Sequence, residues 1–203
     1  MLQSIRNKIG QLALYGIVLG SLLVSSAATA QVKYQSAGGV KTTIEGTSNI
    51  HDWEMISDKG ACTAVFTFNA GGGMTGVSFL GFNLAAESLK SEHKAMDKNT
   101  YKAMNTDKYP YISFTITSCT VQPSSGNNYV LKTKGKLTIS GVTKDVDIAG
   151  ACALNPGDKS INCAGSYPIK MTDYNVTPPS IMFGTIKTGN NINVKFSLIL
   201  KAQ

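Results

Sequence analysis

Groups that commonly carry catalysis or bind metals are scarce in this sequence. It contains two histidines, His51 and His93, and a single tryptophan, Trp53, among 203 residues. A zinc site usually requires three or four placed protein ligands, and nothing spaces the two imidazoles on one face. The sequence also lacks a G-x-S-x-G nucleophile elbow and a C-x-x-C pair, so it offers no visible nucleophile or redox pair. We therefore expect no enzyme, with no catalytic residue, metal or cofactor.

Charged residues are also few, at 15% of the chain, and they do not form runs. The formal net charge is +7, and it becomes +5 without the first 30 residues, where Arg6 and Lys8 are the charged side chains. Because the remaining lysines are scattered, nucleic acid is not an expected partner. The mildly basic surface is compatible with ordinary solubility and with transient contact at an anionic membrane surface. A homodimer also stays open.

Long apolar runs are absent after the N-terminal segment. Residues 12–24 form an apolar stretch that follows Arg6 and Lys8 and precedes small residues ending in Ala28-Thr29-Ala30. This order is typical of a cleaved secretory signal peptide, and the apolar stretch is short for a membrane span. The sequence predicts a signal peptide at 1–30, a single mature domain at 31–203 and a periplasmic or secreted protein. A retained N-terminal anchor is the alternative.

The four cysteines all lie in the predicted exported part. An even count in an oxidising compartment favours disulfides. Cys152 and Cys163 flank the turn sequence at 155–158, so folding about that turn places them opposite each other on paired strands. We predict a Cys152–Cys163 disulfide. A Cys62–Cys119 disulfide follows by elimination, with two free buried thiols as the alternative.

Segments of alternating polarity dominate the rest of the chain. They occupy residues 40–50, 62–68, 78–87, 111–118, 129–139, 142–152 and 192–200. A period of two residues, repeated this often, is typical of antiparallel strands with one face in water. About eight strands in one domain predict an all-β sandwich or an up-and-down barrel.

One polar, helix-compatible segment interrupts these strands, at about residues 88–106. Ser88 or Ser91 is suited to cap its start, and Pro110 ends any helix before it. Met96 and Met104 are expected to face the barrel. The residues His93 and Asp97 are four apart and therefore share a helical face.

Several motifs in this order resemble the YceI-like family of lipid-binding or polyisoprenoid-binding proteins. They are SLKS at 88–91, His93 with Asp97, KYP at 108–110, ISF at 112–114, GKLTISGVTK at 135–144 and MTDY at 171–174. The segment TSNIHDWEM at 47–55 matches a subgroup of that family. The resemblance implies a lipocalin-like, eight-stranded antiparallel β-barrel with one helical insert. It also implies a long apolar cavity for an isoprenoid chain, polyprenyl or quinone-type, or a similar amphiphile. In such a family, His93 and Asp97 are expected to dock the helix through a hydrogen bond, with contact to a lipid headgroup as the alternative.

The alternating faces supply the candidate ligand-binding residues. Trp53 is expected at the cavity mouth because its ring is amphipathic, and Phe183 is expected in a flap over one end of the barrel. The full set is Trp53, Phe66, Phe68, Leu80, Phe82, Leu84, Phe114, Ile116, Leu137, Ile148, Phe183, Phe196 and Leu198.

Three alternatives remain. In a structural or interaction barrel, the same apolar side chains fill a closed core, as the interior of an eight-stranded barrel is only just wide enough for side chains or one slender ligand. In a fatty-acid or amide binder, an acyl chain takes the place of the isoprenoid. In a metal-dependent enzyme, His51 and His93 lie within a few ångströms of a shared ion.

Overall fold

The computed structural model describes residues 29–181 and 183–203 and consists mainly of long strands. The strands are β1 (Ala30–Ser48), β2 (Asp52–Phe68), β3 (Met74–Ala85), β4 (Tyr111–Pro123), β5 (Asn128–Ile139), β6 (Val142–Leu154), β7 (Ile161–Lys170), β8 (Ser180–Ile181) and β9 (Ile186–Ala202). Helix α1 spans Lys94–Met104, and two 3₁₀ turns span Ala86–Ser88 and Met171–Tyr174. The predicted signal peptide lies outside the described residues, apart from its last two positions.

Eight of these strands close into one antiparallel barrel. Neighbours follow chain order from β1 to β7, then β9, and β9 pairs back onto β1. The two-residue strand β8 forms a hairpin with the start of β9. The predicted all-β, eight-stranded antiparallel barrel with a helical insert is confirmed.

Strict alternation along β5 shows how the sequence orients the wall. Leu131 and Leu137 face inward and are buried, whereas Lys134 and Lys136 face solvent. These two lysines form ion pairs at 3.0 Å with Asp147 and Asp145 on β6, opposite them in register. Exposed pairs of this kind contribute little to stability. The inward apolar residues therefore determine which face of the strand is buried.

The barrel interior divides into two apolar clusters. The closed-end cluster contains Tyr34, Phe66 and Phe68, whose rings pack with centroids 5.3–6.4 Å apart. The open-end cluster contains residues of the barrel wall together with Leu89 and Met104 from the helical insert. The insert is thus part of the wall at one end of the barrel.

A bulge in β2 changes which residues face inward. Trp53 and Met55 line the interior in its first half, at odd positions, whereas Cys62 and Phe66 do so in its second half, at even positions. The pairing with β1 shifts register at this point. An extra residue on one strand inverts its alternation. This explains why alternation alone predicts only residues 62–68 of a strand that begins at Asp52.

The helical insert is shorter than predicted because its first residues are extended. Ile56 and Lys90 exchange two backbone hydrogen bonds, of 2.7 and 2.9 Å, which place the lead-in segment beside β2. Helix α1 then begins after His93, whose side chain makes no capping bond, so neither Ser88 nor Ser91 is the N-cap. At its other end Asn105, with φ of 52°, ends the helix in the left-handed conformation. In the part of the chain that the structure describes, no helix has the length and apolarity of a membrane span.

The cysteine predictions are half confirmed. Cys152 and Cys163 are register partners on β6 and β7 and form a disulfide. Cys62 and Cys119 are free thiols, so the predicted Cys62–Cys119 disulfide is wrong. They lie on β2 and β4 with β3 between them. Two strand spacings amount to about 10 Å, which exceeds the roughly 7 Å between Cα atoms that a disulfide spans.

Candidate ligand-binding cavity

The barrel encloses an apolar cavity of about 500 Å³. Its wall combines inward side chains of the strands with one face of α1. No lysine, arginine, aspartate or glutamate lines it among the described residues. Cavities of this size and polarity suit small apolar or amphiphilic ligands, and they disfavour a buried charge. A cavity of this size is inconsistent with the alternative in which apolar side chains fill a closed core.

Most of the predicted ligand-binding residues meet at this cavity. Those that line it are Trp53, Phe66, Leu80, Phe82, Leu84, Phe114, Leu137, Ile148, Phe196 and Leu198. They come from β2, β3, β4, β5, β6 and β9. The structure therefore gathers the alternating faces of six strands around one space, as the sequence pattern indicates.

Three predicted residues lie elsewhere. Phe68 packs in the closed-end cluster against Tyr34 and Phe66, because it is the last residue of β2 and lies beyond the cavity floor. Ile116 packs partly buried against both clusters, at the point where β4 shifts register against β5. Phe183 is fully exposed in the β8–β9 turn with φ of 55°, so its prediction as a buried flap residue is wrong.

Other lining residues were missed by the sequence prediction. They are chiefly apolar side chains of β1, β7 and β9 and of the turn after β7: Val40, Ile44, Tyr167, Ile169, Met171, Tyr174, Val176, Ile186, Ile192, Val194 and Leu200. The sequence of β7 does indicate which of its faces points inward, because one face carries alternate residues that are mostly apolar: Ile161, Cys163, Gly165, Tyr167 and Ile169. Small residues in the middle of this set weaken the alternation. Ile192, Val194 and Leu200 share the face of Phe196 and are found by extending its pattern along β9.

The cavity opens at the end where the β1–β2 turn, α1 and the β8–β9 hairpin meet, here termed the mouth. The exposed side chains that also line the cavity lie there: Ile50 is 57% and Ile181 41% exposed, beside His51 and His93. Asn49 joins the two loops, because its side chain donates to Thr185 O and accepts from the Lys187 amide, both at 2.8 Å.

Trp53 forms part of the mouth, as predicted. Its indole Nε1–H donates to Thr47 O at 3.0 Å. Its ring lies over Gly46 so closely that a Cβ at that position would be 2.1 Å from the ring. Glycine at 46 thus allows the tryptophan to lie flat against β1. Because Trp53 is the single tryptophan of the chain, its fluorescence reports directly on the mouth.

Asp97, but not His93, docks the helix. The buried Asp97 Oδ1 accepts hydrogen bonds from the Ser91 amide at 2.7 Å and from Ser91 Oγ at 2.8 Å. Tyr101 adds a bond from its hydroxyl to Leu89 O at 2.6 Å. The exposed His93 side chain lines the mouth instead. Within 29–181 and 183–203, no group of three or more His, Cys, Asp or Glu side chains is placed to hold a metal.

Two titratable groups of the wall stay neutral over the physiological range. Burial raises the pKa of the Cys62 thiol from 9.0 to about 12. Burial, followed by the charges of Tyr167 and Asp173, raises the pKa of Tyr174 from 10.0 to about 12. Desolvation disfavours the anion in both cases. The interior therefore remains uncharged at neutral pH.

A closed antiparallel barrel with a helix at its mouth and an uncharged apolar interior defines a lipocalin-like fold. The family model of the YceI-like domain matches residues 23–200, and the chain belongs to this family. The predicted family membership is thereby confirmed. A comparison with curated proteins finds no match.

Solved structures share the fold at low sequence identity. BcnA of Burkholderia cenocepacia is 20% identical, with a TM-score of 0.62, over 79% of this chain and 95% of that protein. A polyisoprenoid-binding domain from Saccharophagus degradans is 13% identical, with a TM-score of 0.61, over 86% of this chain and all of that domain. A YceI protein of Campylobacter jejuni is 20% identical, with a TM-score of 0.52, over 71% of this chain and 84% of that protein.

Proposed function

We propose that this protein is an exported, non-catalytic binding protein that holds a long isoprenoid chain, polyprenyl or quinone-type, or a similar amphiphile in its barrel. The observation that carries the proposal is the apolar barrel cavity of about 500 Å³, which has no lysine, arginine, aspartate or glutamate among its described lining residues. The fold shared with the polyisoprenoid-binding domain of Saccharophagus degradans supports it. The Cys152–Cys163 disulfide is consistent with export to the periplasm. One chain forms the described wall, so the proposal needs no second copy.

Ligand length is expected to dominate affinity in such a cavity. Each methylene-sized unit that leaves water contributes about 0.8 kcal/mol, so ten units contribute about 8 kcal/mol. Association costs an estimated 4–15 kcal/mol in lost freedom. Short fragments therefore bind weakly, whereas a chain that fills the barrel binds tightly without a dense set of hydrogen bonds.

Organic extraction of purified protein tests this proposal. We expect mass spectrometry to find one dominant long-chain amphiphile in near-stoichiometric amount, because an apolar cavity retains its ligand through purification. Protein that is unfolded, delipidated and refolded should rebind an added prenyl-chain or acyl-chain lipid and quench Trp53 fluorescence. Protein that yields no lipid and rebinds none would contradict the proposal.

Lipid exchange requires access to a membrane, and we place that contact at the mouth. Phe183 is fully exposed at the tip of the β8–β9 hairpin, and Ile50 and Ile181 are exposed beside it. Because Ile50 and Ile181 also line the cavity, they form a continuous apolar path from the surface to the interior. A lipid chain that follows this path leaves a bilayer without crossing water, which avoids the cost of hydrating its apolar surface.

Replacing Phe183 with aspartate should slow lipid exchange. We expect Phe183→Asp to reduce the rate of transfer of a fluorescent long-chain lipid from anionic vesicles by about tenfold, because a charge at the tip opposes entry into the bilayer. Equilibrium affinity measured in detergent should be unchanged, since Phe183 lies outside the cavity wall. Phe79→Asp is the matched control, because Phe79 is an exposed phenylalanine on β3, paired with Val65 away from the mouth. Equal slowing by both variants would show that the mouth is not the contact.

A further inference from the structure

Thr42 carries an unpaired hydroxyl in a predominantly apolar wall. It lies on the inward face of β1 between Val40 and Ile44, and all three line the cavity. It is only 4% exposed. Within the residues that the structure describes, Thr42 Oγ1 is the only buried side-chain oxygen or nitrogen without a hydrogen-bond partner. Such groups are rare in native proteins and call for an explanation.

A second inward threonine shows that the fold is able to satisfy such a hydroxyl. Thr133 on β5 also lines the cavity and is buried, and its Oγ1 donates to Ile148 O at 2.8 Å. The two threonines therefore share residue type, burial and exposure to the cavity. They differ in that the Thr42 hydroxyl has no hydrogen-bond partner within the described part of the protein.

Thr42 lies at middle depth rather than at the mouth. Val40 belongs to the closed-end cluster and Ile44 packs against the open-end cluster, so Thr42 lies at their boundary. It is six residues before Ser48, a mouth residue on the same strand. At about 3.3 Å per residue and a strand tilt of about 40°, this places Thr42 roughly 15 Å below the mouth.

We propose that Thr42 is a polar subsite at which the bound amphiphile buries a neutral hydrogen-bonding group, such as a carbonyl, hydroxyl or amide. The inference rests on the proposed function and specifies its ligand. A charged phosphate or carboxylate does not suit this depth, because no lysine or arginine lines the described wall and an unpaired buried charge is costly. The ligand accordingly enters with a neutral polar end first, or carries an oxygen or amide partway along its chain.

Thr42→Val tests the subsite, because valine keeps the shape of threonine and removes the hydroxyl. Binding of three sixteen-carbon probes, hexadecanamide, hexadecane and hexadecyl phosphate, is measured by displacement of N-phenyl-1-naphthylamine from delipidated protein. We expect Thr42→Val to weaken binding of the amide by about tenfold and to leave hexadecane unchanged. Without a bound ligand, the Thr42→Val variant should unfold at the same temperature as the wild type or higher, since it no longer buries an unpaired hydroxyl.

Thr133→Val is the matched control. It removes a hydroxyl that already has a partner, so it should lower the unfolding temperature without changing the ratio of amide to hexadecane affinity. An unchanged ratio in Thr42→Val would overturn the subsite while leaving the proposed function intact. Equal affinity of the wild type for the phosphate and the amide would overturn the requirement for a neutral group. Failure of the wild type to bind hexadecane at all would refute the proposed function, and the subsite with it.

Discussion

Gly150→Phe is expected to weaken binding of a long-chain ligand by on the order of 100-fold. Gly150 lines the cavity on the inward face of β6, between Ile148 and Cys152. A benzyl group in this position takes up space that the ligand chain would otherwise fill. Loss of about four methylene-sized units from the buried chain costs about 3 kcal/mol, which corresponds to on the order of 100-fold in affinity.

The backbone at Gly150 should tolerate a side chain. A Cβ there would lie 3.5 Å from Ala164 O and 3.7 Å from the Phe196 ring, which are ordinary contact distances. By contrast, a Cβ at Gly165, its partner on β7, would lie 2.5 Å from that ring. Of these two paired glycines, Gly150 is the one that accepts a larger residue without displacing the wall.

Binding is measured by lipid titration of delipidated protein with Trp53 fluorescence as the readout. Ala149→Phe is the control, because Ala149 is the neighbouring residue on β6 and is exposed on the outer face. It adds the same side chain to the same strand without entering the cavity. Native affinity in Gly150→Phe, in protein whose circular dichroism shows the barrel intact, would show that the ligand does not occupy this cavity.

Regular alternation made the barrel and much of its wall predictable from sequence. In β9, every second position from Ile192 to Leu200 is apolar and faces inward, and the exposed residues between them are Lys195, Ser197 and Ile199. Since adjacent strands are antiparallel and the barrel is closed, each inward face necessarily meets the others around one interior. For this reason alternation predicts a shared interior position for Phe82, Phe114 and Phe196 without any information on register, and all three line the cavity.

Local irregularities limited the rest of the prediction. The β2 bulge hides the first half of that strand, which contributes Trp53 and Met55 to the wall. Alternation does not show where a strand leaves the cavity, so Phe68 was assigned to the site although it packs below it. Phe183 is apolar but lies in a turn, where hydrophobicity alone carries no information about burial.

The sequence does not predict that the Thr42 hydroxyl lacks a hydrogen-bond partner, for a different reason. A threonine in a strand is ordinary, because β-branched residues fit the pleated surface. Whether its hydroxyl has a partner depends on the backbone carbonyls of neighbouring strands, which only the register defines. The contrast between Thr42 and Thr133 therefore appears only in three dimensions, and it changes the expected ligand from any long chain to one with a neutral polar group.

Loss of the disulfide should destabilise the barrel by about 3 kcal/mol, the value expected for a closed loop of this length. Cys163 follows Cys152 by 11 positions in the sequence. The strands that they join, β6 and β7, are paired over only the five positions from Gly150 to Leu154. The first part of β6 and the last part of β7 are not paired with each other, so the disulfide reinforces a short junction.

The variant with both Cys152→Ala and Cys163→Ala should therefore unfold about 6–12 °C below the wild type, given about 2–4 °C per kcal/mol for a protein of this size. Calorimetry of delipidated protein measures this shift. Because both cysteines line the cavity, the variant should also release a bound lipid faster. Reductant should reproduce both effects in the wild type and have none in the variant, whose remaining thiols are unpaired. An unfolding temperature within about 2 °C of the wild type would mean that strand pairing alone holds the junction closed.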